Sequence, residues 1–475
     1  MVRRHRQQGA VHASRSGERD RDLDSPRGST ALCCALFLLM ALATAARADD
    51  WPTYNHDARR SAVSADRLDL ASLRERWVYA PRMPARPAWP GPAVRDYSNT
   101  PTIDNEDRLD FDDVYHVAAV GNSVYFGSSG EDALRCLDAR TGEPRWAHCA
   151  DGPVRMAPHV VDDRAYFGAD DGCVYCVGAS DGSLIWKQRL PASDYTVPSD
   201  GRVISLWPCR TSVLVQDGVA YCGAGIFPGE GAFICALDAA TGSDAGPGRY
   251  RLRFTDVSLQ GYVLASATRL YFPGGRAAPA VIDRRTGARQ GKVGGGGGTY
   301  ALVTAEDSIV YGPGANSALL EEFSGGGRDR LASFPGGRHI IVTPERSYIS
   351  TRERLFSLDR ARYVRLTAEL AHVNEQLKPL SQDAPEYAPL VQKRAQLEQD
   401  RQGCTAWSTP SPLSEALILV GEHVLAGGEG SVTAFEATTG AQVWSAAVDG
   451  TAKGLAAARG RLFVSTDTRR IYCFE

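Results

Sequence analysis

Short runs of alternating apolar and polar residues recur along the chain, each followed by a turn and a tryptophan. The clearest copies read LRCLDARTGEPRW (134–146), VYCVGASDGSLIW (174–186) and VTAFEATTGAQVW (432–444). In each copy a Gly lies four residues before a Trp, giving the pairs Gly142 and Trp146, Gly182 and Trp186, and Gly440 and Trp444. Alternation predicts half-buried strands, and the Gly predicts a tight turn with positive φ. Repetition at a spacing of tens of residues indicates a repeat architecture.

A second pattern counts the repeats. Eight strands such as VYFG, AYFG and LFVS carry a large apolar residue at one fixed position. These positions are Tyr125, Tyr166, Tyr221, Tyr271, Tyr311, Tyr348, Leu425 and Phe463. Each unit contains four short strands separated by turn residues, which is typical of a propeller blade. The sequence therefore predicts an all-β, eight-bladed β-propeller of four-stranded blades over residues 49–475.

The two ends of the repeat complement each other. The last unit, GRLFVSTDTRRIYCFE, ends after its third strand, and an unmatched strand, LRERWVYAP, lies at residues 73–81. Trp77 stands where a fourth strand would have its tryptophan. We expect the 73–81 strand to complete the last blade and close the ring, since closure removes an exposed edge. We also expect the repeat tryptophans to cover the joints between neighbouring blades.

One segment breaks the repeat between Tyr348 and Leu425. Apolar residues there recur at steps of three and four, at Tyr363, Leu366, Leu370, Val373 and Leu377. This spacing predicts one face of a helix, and a second helix follows a Pro-containing interruption. We predict a helical hairpin inserted into a blade over about residues 362–402. It either packs against the flank of the propeller or serves as an arm for a partner.

The first 48 residues have the features of a secretory signal peptide. A polar, Arg-rich lead is followed by the apolar run ALCCALFLLMALATAA (31–46) and an Ala-Arg-Ala site before residue 49. An uncleaved anchor is the alternative, although the run is short for a bilayer span. We expect an exported protein, periplasmic or extracellular, with no membrane span after cleavage. The formal net charge of −3 gives no indication of nucleic-acid binding.

The repeats resemble those of quinoprotein-type propellers, which carry the pyrroloquinoline quinone (PQQ) repeat. The resemblance covers most of residues 50–475 apart from the helical insert, and is strongest in CLDARTGEPRW, GADDGCVYCVGASDGSLIW and FEATTGAQVW. Dehydrogenases of this type bind PQQ with calcium and have an adjacent Cys pair, whereas other members, including the lipoprotein scaffold of outer-membrane β-barrel assembly, lack the cofactor. Residues 49–475 contain no adjacent Cys pair. The resemblance thus implies the fold and the branch without dehydrogenase activity.

Other motifs carry little chemistry. Cys173 and Cys176 are three positions apart on a strand, where side chains alternate, so they face opposite sides and do not predict a metal site. The acidic run DNEDRLDFDD (104–113) lacks the spacing of an EF-hand loop, and GGGGG (294–298) lacks the Lys of a phosphate loop. Nine cysteines follow residue 48, an odd number that leaves at least one unpaired within the chain.

Aligning the units on their anchor strands places several cations at one mouth of the channel. The candidates are Arg155, Arg210, Arg338, Lys453 and His116, all just before or within first strands. Such a cluster would suit an anionic ligand, unless the cations pair with acids. Trp207 and Trp407 are predicted in loops entering first strands, where they would stack on a planar ligand or sugar, or pack the loops.

The sequence favours a non-catalytic propeller that acts as a binding or assembly scaffold in the cell envelope. Its partner would be an envelope protein or a small anionic or saccharide ligand, and no catalytic residue or cofactor is expected. The alternative is a PQQ-dependent oxidoreductase, alcohol dehydrogenase-like, with calcium and an atypical site at Trp207 and Arg210. A saccharide-binding propeller or a hydrolase without a known motif is a third possibility.

Overall fold

The computed structural model describes residues 49–89, 109, 111–298, 300–313 and 319–475. The predicted signal peptide and most of the acidic run 104–113 lie outside the described residues. No helix in the described part of the chain is long and apolar enough to cross a membrane. The described chain is mostly β-strand, with two α-helices.

Strands of the N-terminal half form small antiparallel sheets. The chain begins with β1 (Val63–Ser64) and β2 (Glu75–Tyr79). The first sheet contains β3 (Val117–Val120), β4 (Ser123–Ser128), β5 (Ala133–Asp138) and β6 (Pro144–Cys149). The second contains β7 (His159–Val161), β8 (Arg164–Gly168), β9 (Cys173–Gly178) and β10 (Leu184–Arg189). A separate hairpin follows, formed by β11 (Thr196–Ser199) and β12 (Arg202–Ser205).

Four more sheets of four strands follow. The third contains β13 (Leu214–Gln216), β14 (Val219–Ala224), β15 (Ala232–Asp238) and β16 (Tyr250–Phe254). The fourth contains β17 (Leu264–Ala265), β18 (Arg269–Gly274), β19 (Ala277–Asp283) and β20 (Arg289–Lys292). The fifth contains β21 (Ala301–Val303), β22 (Ile309–Tyr311), β23 (Leu320–Phe323) and β24 (Arg330–Phe334). The sixth contains β25 (His339–Val342), β26 (Ser347–Ser350), β27 (Arg354–Leu358) and β28 (Thr405–Pro410).

The remaining strands join into one larger sheet. It contains β29 (Ala416–Val420), β30 (His423–Glu436), β31 (Gln442–Ala458), β32 (Arg461–Thr466) and β33 (Arg470–Phe474), with β1 and β2 at its edges. One part of β30 pairs with β29 and another with β31, while β31 pairs with β30 and then with β32. If the two parts of β30 and of β31 are counted separately, the sheet divides into two four-stranded units. One contains β29, both parts of β30 and the first part of β31, and the other contains the second part of β31 with β32, β33 and β2. On that division, each unit of the larger sheet has the same number of strands as the first to sixth sheets.

The N-terminal and C-terminal ends of the propeller lie side by side. β2 pairs antiparallel with β33, the last strand of the chain. Arg74 and Glu475 exchange two backbone hydrogen bonds at 3.1 and 2.9 Å. The fourth strand of the final unit therefore comes from the start of the described chain.

Two helices interrupt the sixth sheet. α1 (Arg360–Leu377) and α2 (Tyr387–Gln402) lie between β27 and β28, which pair with each other. Asp359 caps α1 by accepting a hydrogen bond from the Arg362 amide at 3.0 Å. The buried side of the hairpin joins the core shared by the fifth and sixth sheets, through Leu366, Leu370, Val373 and Leu397. The helices thus pack on the flank of the propeller.

A buried ion pair also holds α1. Glu322 on β23 is 1% exposed, and its carboxylate lies 2.6 Å from the Arg360 guanidinium. Arg360 contacts Glu306 on its other side at 2.7 Å. Ser308 donates a further hydrogen bond to Glu322 at 2.6 Å. Because removing one partner of a buried pair leaves an uncompensated charge, this contact fixes where α1 begins on the fifth sheet.

The repeat tryptophans form one recurring contact between neighbouring units. Four indoles on fourth strands donate a hydrogen bond to the carbonyl of an Ala in the next unit, whereas Trp444 donates to the Leu73 carbonyl at 3.3 Å. For Trp77, Trp146, Trp186 and Trp407 the acceptors are Ala139, Ala179, Ala239 and Ala437, at 3.0–3.2 Å. The turn glycine of the next unit lies against the same ring, as Gly142, Gly182, Gly242 and Gly440. These four tryptophans therefore cover the joints, as predicted, through one hydrogen bond to a backbone carbonyl and one ring contact with a turn glycine.

Glycine is required in that turn for two reasons. Gly182 has a φ of 71°, which favours a residue without a side chain. A Cβ at the same position would lie 2.5 Å from the Trp146 ring. Ala179 supplies the small residue that lets the ring approach the carbonyl. The Gly and the Trp of one repeat thus belong to two different joints. The Gly contacts the Trp of the preceding unit, and the Trp contacts the Gly of the following unit.

The position expected for Trp407 is wrong. The sequence analysis placed Trp407 in a loop outside the repeat, but it lies on β28, the fourth strand of the sixth sheet. Its indole bonds Ala437 at 3.0 Å and its ring contacts Gly440, as in the other joints. The helical insert between β27 and β28 separates Trp407 from the turn of its own repeat. The usual spacing between turn and tryptophan therefore could not be recognised in the sequence.

Residues 49–66, here called the axial segment, connect the sheets at their first strands. The segment exchanges backbone hydrogen bonds of 2.7–2.9 Å with Ala119, Val160, Ala265, Val303 and Leu419, which lie on β3, β7, β17, β21 and β29. Arg60 is fully buried within it and donates to the carbonyls of Val263 and Tyr54 and to the Ser212 hydroxyl. Five sheets thus share contacts with one extended stretch of chain.

Replacing one joint tryptophan should destabilise the whole ring. Trp186→Ala removes a ring that is 8% exposed, together with its hydrogen bond to Ala239. We expect a loss of about 3–5 kcal/mol in the free energy of unfolding, measured by denaturant titration. Ile185→Ala is the matched control, because Ile185 precedes Trp186 on β10 and is 43% exposed. A loss no larger than that of the control would contradict the role of the joint.

Candidate functional site

The predicted site residues lie near the beginnings of first strands. His116 precedes β3, Arg155 precedes β7, Arg210 precedes β13 and Arg338 precedes β25, while Lys453 lies on the part of β31 that pairs with β32. Trp207 lies in the segment between β12 and β13. Two of these residues, Arg155 and Arg210, are brought into one cluster.

We call Asp112, Arg155, Asp170 and Arg210 the mouth cluster. Arg155 lies 2.8 Å from Asp112 and 2.8 Å from Asp170. Arg210 lies 3.1 Å from the same carboxylate of Asp170. All four are buried, with Asp170 at 0% and Arg210 at 1% exposure. Two guanidinium groups and two carboxylates therefore form a network of compensating charges.

The two carboxylates of the mouth cluster respond differently to burial. Burial alone would raise the pKa of Asp170, but the charges of Arg210 and Arg155 hold the pKa below its ordinary value. Burial raises the pKa of Asp112, and the charge of Arg155 opposes this shift only in part. Asp170 is thus the charged centre on which both arginines converge, and Asp112 is the second partner of Arg155.

Aromatic groups enclose the cluster. The Arg210 guanidinium lies 5.7 Å from the Trp89 ring, a cation–π contact. The Trp89 indole donates to Gln260 at 2.7 Å. Trp207 is 8% exposed, donates to the Glu230 carbonyl at 2.9 Å and meets Phe233 edge-on. Trp207 therefore packs the loops, the second of the two roles considered for it, and does not present its ring to solvent.

The other candidates have separate environments. Lys453 lies 3.1 Å from Asp113. His116 lies edge-on to Tyr54 and Tyr262, with ring centroids 4.9 and 5.9 Å away. Arg338 lines a groove of 650 Å³ that also includes Arg352 and Phe356. Of the cations expected at one mouth, Arg155 and Arg210 thus pair with buried carboxylates and Lys453 pairs with Asp113.

Sequence reasoning missed the acids of the cluster. Asp170 follows β8 in the turn GADDG, at the same end of the sheet as Arg155, and Asp112 lies in the acidic run 104–113. The signal was available in part, since turns that enter neighbouring first strands meet at one end of a propeller. Trp89 gave no such signal, because it lies in a segment with no repeat pattern.

The sequence family is shown by a model described as outer membrane protein assembly factor BamB. This model matches residues 111–311 and 399–475, more than half of the chain. The chain belongs to this family. The match leaves out residues 312–398, and with them α1 and most of α2, so the helical hairpin lies outside the part that the family model describes. No curated protein sequence matches the chain.

Solved structures share the propeller fold with this BamB-family chain. Quinohemoprotein alcohol dehydrogenase from Comamonas testosteroni superposes with a TM-score of 0.57 at 14% identity, covering 91% of this chain and 81% of that one. A europium-containing methanol dehydrogenase gives 0.53 at 10% identity, covering 88% and 89%. BamB from Moraxella catarrhalis gives 0.40 at 14% identity, covering 75% and 82%. At these identities the two superpositions with TM-scores above 0.5 show the β-propeller fold alone.

The mouth cluster does not fit a bound PQQ with calcium. The quinone carries several carboxylates, which would need cations that are not already neutralised. In the mouth cluster Asp170 and Asp112 neutralise Arg155 and Arg210. Across the described ranges, no three His, Cys, Asp or Glu side chains are grouped to hold a metal ion. We therefore derive no reaction step through this cofactor.

His116 should make folding stability depend on pH. Burial, aided by the charge of Lys453, lowers the pKa of His116 to about 4, whereas Asp113 opposes the shift. Between about pH 6.5 and 4, His116 is therefore protonated in the unfolded chain but neutral in the folded chain. The stability due to neutral His116 is complete above about pH 6.5 and is lost as the pH falls towards about 4, by up to about 3 kcal/mol.

The test is the pH profile of unfolding for His116→Phe. Phe keeps the ring between Tyr54 and Tyr262 but cannot bind a proton, so the profile should flatten between pH 6.5 and 4. His159, whose pKa burial and Arg60 lower to about 3, will leave a residual slope. Exposed His372→Phe on α1 is the control and should keep the original profile. An unchanged slope in His116→Phe would refute the assignment.

Proposed function

We propose that this chain is a non-catalytic scaffold of the cell envelope that binds a protein partner through the β11–β12 hairpin. The observation that carries the proposal is a group of exposed apolar side chains around this hairpin. Tyr195 and Val203 are each 67% exposed, and Phe227 and Met83 are 46% and 39% exposed. We call these four residues the hairpin patch. Exposed apolar groups gathered in this way are typical of protein-binding surfaces.

The hairpin patch rests on a fixed base. Arg202 on β12 pairs with Asp132 of the first sheet and donates to the Gly130 carbonyl at 3.1 Å. Met83 lies beside Gly130, and the Tyr195 and Trp207 rings are 6.4 Å apart between centroids. Trp207 in turn bonds Glu230, close to Phe227 in the chain. The patch is therefore presented by ordered structure, which lowers the entropic cost of binding.

Family membership and the predicted signal peptide support an envelope location. The family is described as an outer membrane protein assembly factor, so an envelope protein is the class of partner we propose. The neutralised mouth cluster supports a role without chemistry, because its charged groups are already committed to one another. A small anionic or saccharide ligand would have to bind outside the mouth cluster.

A photo-crosslinking amino acid at Tyr195 tests the docking surface. Introduced in living cells, it should give one discrete envelope-protein adduct, identified by mass spectrometry. Phe227→Asp in the same chain should abolish this adduct, since a charge in the patch opposes apolar contact. The control is the same probe at Val443, which is 47% exposed on β31, and the matched charge variant is Leu184→Asp on β10. Equal adducts at both probe sites, or insensitivity to Phe227→Asp, would refute the surface.

The alternative function, a PQQ-dependent oxidoreductase, has its own test. The purified chain is titrated with PQQ, with and without calcium, while tryptophan fluorescence and heat are recorded. We expect no binding at micromolar ligand, because the arginines of the mouth cluster are neutralised. Tight, calcium-dependent binding would overturn the scaffold proposal and make Arg210 the first residue to replace.

A further inference from the structure

Two cysteines face each other across neighbouring strands of the third sheet. Cys222 on β14 and Cys235 on β15 are direct partners in the antiparallel register. All nine cysteines after residue 48 are described, and all are unbridged in this structure. In the described registers, the other strand cysteines oppose different residue types, such as Trp146 opposite Cys136 and Trp77 opposite Cys473. Cys222 and Cys235 are thus the directly opposed cysteine pair.

The register sets the distance between the two residues. Ala239 donates to the Gly218 carbonyl at 3.0 Å, so these partners form a hydrogen-bonded pair. Such pairs alternate along the ladder, which places Cys222 and Cys235 in a pair of the same type, with Cα atoms about 5.5 Å apart. Disulfides span Cα separations of about 4.4–6.8 Å. The Cα separation therefore lies in the range that a disulfide spans, and the Cβ atoms, about 5 Å apart in opposed pairs, approach by about 1 Å when the bridge forms.

The surroundings favour pairing within the chain. Both residues are fully buried in the core between the second and third sheets. The neighbouring Cys235 thiol and burial raise the pKa of Cys222. Cys209 lies in the same core, but its thiol donates to the Gly223 carbonyl at 3.2 Å. A buried thiol is rarely ionised, so exchange belongs to the folding stage, before the core closes.

We propose that Cys222 and Cys235 form an intrachain disulfide as β14 and β15 pair during folding in the presence of a disulfide oxidant. The thiolate of one cysteine attacks oxidised glutathione, and one reduced glutathione leaves. The second thiolate attacks the resulting mixed disulfide, and the second reduced glutathione leaves. The two cysteines lose two electrons and two protons, which the oxidant takes up. The bridge pairs two of the nine described cysteines, so an odd number of thiols is left unpaired.

Peptide mapping tests the bridge directly. The full chain is refolded with oxidised and reduced glutathione, denatured without reductant, alkylated and digested with trypsin. Cys222 and Cys235 lie together in the tryptic peptide 211–249, whereas Cys209 lies in 203–210. We expect peptide 211–249 to be unalkylated and lighter by two hydrogens. Cleavage after Glu230 should then leave two fragments that separate only after reduction.

Variants and thiol counts supply the controls. Refolding should lower the number of titratable thiols by two from the eleven of the reduced full chain, and Cys235→Ser should leave Cys222 alkylated. Cys136→Ser, at a buried position on β5, should keep the linked peptide. The proposal is overturned if peptide 211–249 carries two alkyl groups, or if it is linked to peptide 203–210. The wild-type map decides the question even where a variant does not fold.

Discussion

The joint between neighbouring units is the contact on which the rest of the fold depends. A four-stranded sheet this small cannot bury both faces by itself, so each unit depends on its neighbours. At each clear joint, the Trp ring of one unit packs against a small Ala and a Gly with positive φ in the next unit. Trp77 makes the same contact with Ala139 that Trp146 makes with Ala179, although Trp77 comes from the opposite end of the sequence. Ring closure therefore uses the same interaction as every other clear joint.

The joints connect the sheets at their fourth strands, whereas the axial segment connects them at their first strands. The axial segment bonds the first strands of five sheets, and Arg60 donates hydrogen bonds to the Val263 carbonyl and the Ser212 hydroxyl, which are both buried. At the beginnings of β7 and β13, the mouth cluster pairs two arginines with two aspartates. Dehydrogenases share this fold at 10–14% identity, but a shared fold does not supply their chemistry. In this chain, the charged groups of the mouth cluster pair with one another.

The fold was predictable because its signal is repeated. The strand–turn–tryptophan pattern occurs in full at 134–146, 174–186 and 432–444, so errors in single units did not alter the architecture. Trp407 was assigned wrongly because α1 and α2 separate it from its own turn. The partners of Arg155 and Arg210 could not be derived in the same way, since counting from the anchor strands gives a position along a strand and not the acid that faces it. The axial segment had no repeat from which its path could be inferred.

These observations separate the parts that hold the propeller together from the parts available for binding. The joints, the axial segment and the mouth cluster are held by contacts within the chain, so changing them affects stability first. The helical hairpin is outside the family match, yet its apolar side packs inward on the fifth and sixth sheets and its Arg360 is committed to Glu322. The β11–β12 hairpin differs, because Arg202 fixes its base while Tyr195 and Val203 face solvent. A fixed base with exposed apolar side chains is the arrangement that partner binding requires, and so the hairpin patch carries the functional argument.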